Sequence, residues 1–111
     1  MFWPAFLKWA DDDAIERFVL LARNFPTAKI YALARQLSEI ERWSAALCAY
    51  SLIPAESEEA AEAVFWQNLG VCFYELGEQD TAQECFARAL SLDPANPAVR
   101  AYQKWSREGH E

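Results

Sequence analysis

Cysteines, a histidine and clustered carboxylates are the residues through which this sequence could do chemistry, and their spacing supports little of it. Cys48, Cys72 and Cys85 form an odd, widely spaced set, whereas a secreted disulfide framework uses even sets in loop-rich chains. A structural zinc takes about four ligands at close spacing, and the single histidine is His110, next to the last residue. A cysteine nucleophile needs a histidine base at hand. No Gly-rich phosphate loop, Ser/His/Asp set or His-Glu-x-x-His motif is present. Glu56, Glu58, Glu59 and Glu62 gather at a loop and helix start, where carboxylates match the positive end of the helix dipole. The sequence reads as a non-enzyme without metal or cofactor. Its cysteines are expected to be small apolar residues between helices, in a reducing compartment.

The 111 residues are enough for one domain and too few for two. With 53% hydrophobic and 14% aromatic residues the chain can offset the entropy of ordering, which excludes intrinsic disorder. Ten Lys and Arg face seventeen Asp and Glu, a net charge of -7. No basic patch is available for a phosphate backbone, so nucleic acid is not expected as a partner. The stretch Met1 to Ala10 is apolar but has no basic flank, contains Pro4 and runs into Asp11-Asp12-Asp13, unlike a signal peptide. It is also far shorter than the roughly 20 residues of a bilayer span. Phe2, Trp3, Phe6 and Trp9 are expected to cover an open end of the core, and the cytoplasm is the default location.

Pro26, Pro54, Gly77 and Pro94 punctuate segments whose apolar residues recur every three or four positions. Ile15, Phe18, Val19 and Ala22 form one stripe behind the capping aspartates. Ile30, Leu33, Leu37 and Ile40 form a second, and Trp43, Ala46, Leu47 and Tyr50 a third that Pro54 stops. Ser57 is placed to cap a fourth helix through Val64, Phe65, Leu69, Cys72 and Phe73, ended by Gly77 in a left-handed cap. Asp80 and Gln83 resemble a capping box opening a fifth helix, and Asn96-Pro97 starts a sixth through Val99 and Tyr102. Six short helices and no sheet are predicted, and helices this short persist only when packed. Antiparallel pairs stacked in series meet that need.

Residues 63–96 resemble the tetratricopeptide repeat. Trp66, Leu69, Gly70 and Phe73 fill its W-x2-L-G-x2-Y half with Phe for Tyr, and Ala82, Phe86, Ala89 and Pro94 fill the other half. The expected fold is therefore all-α, a short superhelix of about six helices in a single domain. It comprises a leading half-repeat at 11–25, a degenerate repeat at 27–60, the strong repeat at 63–96 and a capping helix at 97–108. The aligned alanines Ala14, Ala46 and Ala82 are 32 and 36 residues apart. Gly70 and Ala82 are expected where the paired helices cross closely, with Trp66, Phe73 and Phe86 filling the wedge between consecutive pairs. In the degenerate repeat the Trp is missing and Ala34 replaces the Gly.

The resemblance further implies a concave groove that receives a partner segment, lined by Val64, Gln67, Asn68, Val71 and Tyr74, with Tyr31, Arg35 and Ser38 from the weaker repeat. Asn68 matches a groove asparagine that holds peptide backbone or a terminal carboxylate in such proteins. The lysines that accompany it in a carboxylate clamp are absent. A protein-interaction module is the expected function. The alternatives are a type III secretion chaperone of tetratricopeptide type and a homo-oligomeric scaffold closed by Trp3, Trp9 or Trp105.

Overall fold

Asp11 opens the first helix as its position predicts, its Oδ1 accepting the Ala14 amide at 2.8 Å. The computed structural model describes residues 10–97, 99–101 and 104. Helix α1 spans Asp12–Leu21 and passes through a 3-10 turn, Ala22–Asn24, into α2, Thr27–Glu39. Helix α3, Trp43–Ser51, is followed by a second 3-10 turn, Glu59–Ala61. Helices α4, Ala63–Glu75, and α5, Gln79–Leu92, complete the main body. Beyond them residues 97, 99–101 and 104 are helical, and no strand occurs among the described residues. Asn96 caps this last segment, its Oδ1 accepting the Val99 amide at 3.1 Å. The expected cover by Phe2, Trp3, Phe6 and Trp9 lies outside the described residues, as do Tyr102, Trp105 and His110.

The chain is all-α, a short helical solenoid. Helix α2 packs on α3 and α4 on α5, while α1 and α4 both lie against α3. The expected stripes point inward. Ile15, Val19, Ile30, Leu33, Leu37, Ala46 and Tyr50 are buried, joined by Ala34, Ala45 and Ala49. Polar ties hold α1 to the start of α3, with Arg42 to Asp12 at 3.0 Å and the Ser44 hydroxyl donating to Glu16 at 2.9 Å.

Three local expectations are corrected. The fourth helix begins at Ala63, not at Ser57. The Ser57 hydroxyl instead accepts the Ala60 amide and caps the 3-10 turn. Asp80 and Gln83 form no capping box, because the helix already begins at Gln79 after Glu78, with no side-chain cap. Asp80 is left in the first turn, where its charge still favours the dipole. Phe86, clustered with Val99 of the following helix, is not confined to a wedge between pairs. A Cβ built on Gly70 would lie 2.5 Å from Cε1 and 2.7 Å from Cδ1 of Phe86, and 3.2 Å from Cβ of Cys85. The ring therefore lies directly on the bare glycine, inside its own pair.

Two helix ends share one geometry. At Gly77 (φ +87°) the Gly77 amide bonds to Tyr74 O at 3.1 Å and the Glu78 amide to Phe73 O at 2.8 Å, a Schellman motif. Thirty-six residues earlier Glu41 (φ +63°) repeats it, with Glu41 to Ser38 O at 3.0 Å and Arg42 to Leu37 O at 2.9 Å. The register of the weak repeat is thus fixed by backbone geometry.

Gly70→Ala should overpack against Phe86 and cost about 1–3 kcal/mol in urea unfolding; an unchanged midpoint would place the ring elsewhere. Glu41→Gly relieves a left-handed conformation unfavourable to a side chain and should raise stability by roughly 0.5–1 kcal/mol, read in the same titration.

Candidate functional site

The outer faces of α2 and α4 bound an open cleft of about 250 Å³, lined by Arg35, Ser38 and Glu39 from α2, Val64, Asn68 and Val71 from α4, and Trp43 at the start of α3. The spacing of each trio keeps it on one helical face. The tight turn after α2 brings Trp43 back to the wall. Arg35 and Glu39 are exposed, of opposite sign and one turn apart.

Beneath the cleft lies an aromatic layer. Tyr31 and Tyr50 are 6.2 Å apart between ring centroids, and Phe65 meets them at 5.9 Å and 5.5 Å, edge-on to Tyr50. Trp66 stands edge-on to Phe65 at 5.2 Å, and its indole N–H donates to the Ala60 carbonyl at 2.7 Å. The guanidinium of Arg35 lies 5.8 Å from the Tyr31 ring centre and that of Arg88 5.0 Å from the Trp66 ring. Tyr50 is 1% exposed and its hydroxyl has no hydrogen bond of good geometry. Burial pushes its phenol up, while neighbouring Ser38 and Asn68 favour the ionised form. The Tyr31 phenol is raised by burial, opposed by Arg35 and reinforced by Glu62 and Glu59.

The structure brings Arg35, Ser38, Val64, Asn68 and Val71 together, and departs from the expected groove at three positions. Tyr74 is buried with Ala82, Phe86, Ala89 and Val99 on the other side of α4. Gln67 is turned toward the next helix, its Oε1 accepting the Asn96 side-chain amide at 2.7 Å. Tyr31 belongs to the aromatic layer, not to the wall. Sequence reasoning missed Glu39, Trp43 and Tyr50 as neighbours of the site. Glu39 is one turn from Arg35 and was findable by spacing; Trp43 needed the turn geometry. Tyr50 was read as core, and no pattern signals an unpartnered hydroxyl.

All three thiols are free. Burial raises Cys72, with Ser38 opposing it at 3.5 Å from Oγ to Sγ. Cys85 is pushed up to about 11 by burial, aided by Glu84 and Cys72, and Cys48 is raised by burial and Glu16. Such thiols stay protonated at neutral pH and are weak nucleophiles. Among the described residues no group of three His, Cys, Asp or Glu is placed to hold a metal ion, and no helix is long and apolar enough to cross a membrane.

With this geometry in place, residues 63–96 match the sequence model of the tetratricopeptide repeat. The chain carries a tetratricopeptide repeat. Its Trp66, Gly70, Ala82 and Phe86 are the positions whose packing was described above, and the repeat is a scaffold for protein–protein interaction. Over 76 residues the chain is 33% identical to transcription factor tau subunit sfc4 of Schizosaccharomyces pombe, a similarity covering 68% of this chain and 8% of that relative. The chain thus corresponds to a small part of that protein's length.

The raised thiols make stability depend on alkaline pH. Folded Cys85 holds its proton to about pH 11, whereas an unfolded thiol loses it near pH 9. Between those values the unfolded chain binds fewer protons, so stability must fall as pH rises. The unfolding temperature should drop from pH 9 to pH 11, and Cys85→Ala should flatten that slope.

Proposed function

We propose that this chain holds a segment of a partner protein, extended or helical, in the cleft between α2 and α4. The single observation that carries the reading is the convergence of Arg35, Ser38, Asn68, Val64 and Val71 from two consecutive first helices on one open cleft. Stacked repeats present such concave surfaces to their partners. The cleft combines apolar walls with a few polar groups, the make-up of a recognition site. By its name the similar protein is a subunit of a transcription factor, which supports a partner that is itself part of a multi-protein assembly. Three unpaired thiols fit a reducing compartment, the cytoplasm or nucleus.

Photo-crosslinking tests the site. A benzophenone side chain placed at Val64, inside the cleft, should trap a partner that the same group at exposed Ser91 on α5 does not. Arg35→Ala, at an exposed position, should weaken that capture severalfold while leaving the unfolding midpoint within about 0.5 kcal/mol, as for other exposed polar positions. Adducts at Ser91 and none at Val64 would move the site off the cleft. A trapped second copy of this chain would turn the module into a self-assembling scaffold.

A further inference from the structure

Two opposite charges stand on the wall of the cleft. Among the described residues Arg35 is the one cation lining it and Glu39 the one acid. Both are exposed, and neither belongs to an ion pair, the described pairs being Arg17 with Asp13 and Arg42 with Asp12. Nor do they neutralise each other. Arginine before glutamate is the weaker order for a pair one turn apart on a helix, and the Arg35 guanidinium lies 5.8 Å from the Tyr31 ring centre. Stacking on a ring leaves the N–H fork of a guanidinium available to a carboxylate. Glu39 shares the wall with Trp43, and an acid together with an indole suits a cation. Glu62 and Glu59 act on the Tyr31 phenol but do not line the cleft.

We propose that the bound segment is extended and carries one acidic and one basic side chain two residues apart, the acid on Arg35 and the base on Glu39. The proposal rests on the cleft being the binding groove. Spacing sets the register. Four helical residues place the two charges about 6 Å apart along α2, and side chains on one face of an extended chain repeat at about 6.6 Å. A cleft of about 250 Å³ favours an extended segment over a helix, which is about 10–12 Å across with its side chains. Val64 and Val71 give apolar surface from α4 for the rest of the segment. Like-charged segments fit worse. Two acids would set one of them against Glu39, and two bases would set one against Arg35. An exposed ion pair is worth up to about fivefold in affinity, so gaining one pair and losing a repulsion is measurable.

Three capped pentapeptides test the pairing. All have leucine at positions one, three and five, and positions two and four hold aspartate with lysine, two aspartates or two lysines. Titrated into isotope-labelled full-length chain, the mixed probe should shift the Val64 and Val71 amides. It should saturate about threefold more tightly than either like-charged probe. Arg35→Glu should turn the preference to the two-lysine probe, and Glu39→Arg should turn it to the two-aspartate probe. Both positions are exposed, so unfolding midpoints should stay near that of the parent chain. Non-specific attraction to a chain of net charge -7 predicts a different order. The two-lysine probe would then bind tightest in all three proteins, including Glu39→Arg, which remains net negative. That order would overturn the proposal, as would equal affinity for the three probes; shifts at Val64 and Val71 would in either case leave the groove standing. No response at either valine to any probe would overturn it too, and crosslinking at Val64 would then decide the groove separately.

Discussion

The fold turns on the absence of one side chain. At Gly70 the α4 backbone is bare, and the ring of Phe86 lies where a Cβ would have to be. This contact sets how closely α4 and α5 approach and how α4 is rotated about its own axis. That rotation buries Phe65, Cys72 and Tyr74 and leaves Val64, Asn68 and Val71 facing the cleft. Shifting the ring by one methyl diameter would turn the face of α4, so the chemistry of the outer surface is tied to a contact on the opposite side.

Trp66 carries that arrangement to the rest of the molecule. Buried side chains fall into two clusters, one built from α1 to α4 and a smaller one around Tyr74, Ala82, Phe86, Ala89 and Val99, and Trp66 packs against both. Its indole N–H reaches back to Ala60 in the second 3-10 turn, and Arg88 of α5 lies over its ring. One residue therefore couples a repeat to its predecessor, to the linker before it and to its own second helix. In stacked repeats stability is largely a sum of such nearest-neighbour interfaces, and here the indole takes part in that interface beside Tyr31, Tyr50 and Phe65.

The class of the fold and the cores of α1 to α5 were legible in the sequence, because the stripe Ile30, Leu33, Leu37 and the set Trp66, Gly70, Ala82, Phe86 follow from helical spacing and close crossing. Helix starts were less legible. Ser57 and Asp80 are good caps locally, yet the 3-10 turn at Glu59–Ala61 and the early start at Gln79 take precedence over them. The cleft was half legible. Arg35, Ser38, Val64, Asn68 and Val71 follow from face periodicity, whereas Gln67 and Tyr74 sit on the same helix a fraction of a turn away. Which way such borderline residues face depends on Asn96 and Val99, far along the chain.

Comparison of the two pairs explains why the cleft lies where it does. With the register fixed by the twin helix ends at Glu41 and Gly77, Ala34 corresponds to Gly70 and Tyr50 to Phe86. Ala34 carries the Cβ that Gly70 lacks, so the Tyr50 ring cannot lie over it as Phe86 lies over the glycine. It packs edge-on against Phe65 of the next helix instead, at an interplanar angle of 88°. A ring that fills the crossing within its pair in one repeat fills the joint between repeats in the other. That joint is where α2 and α4 part to form the cleft.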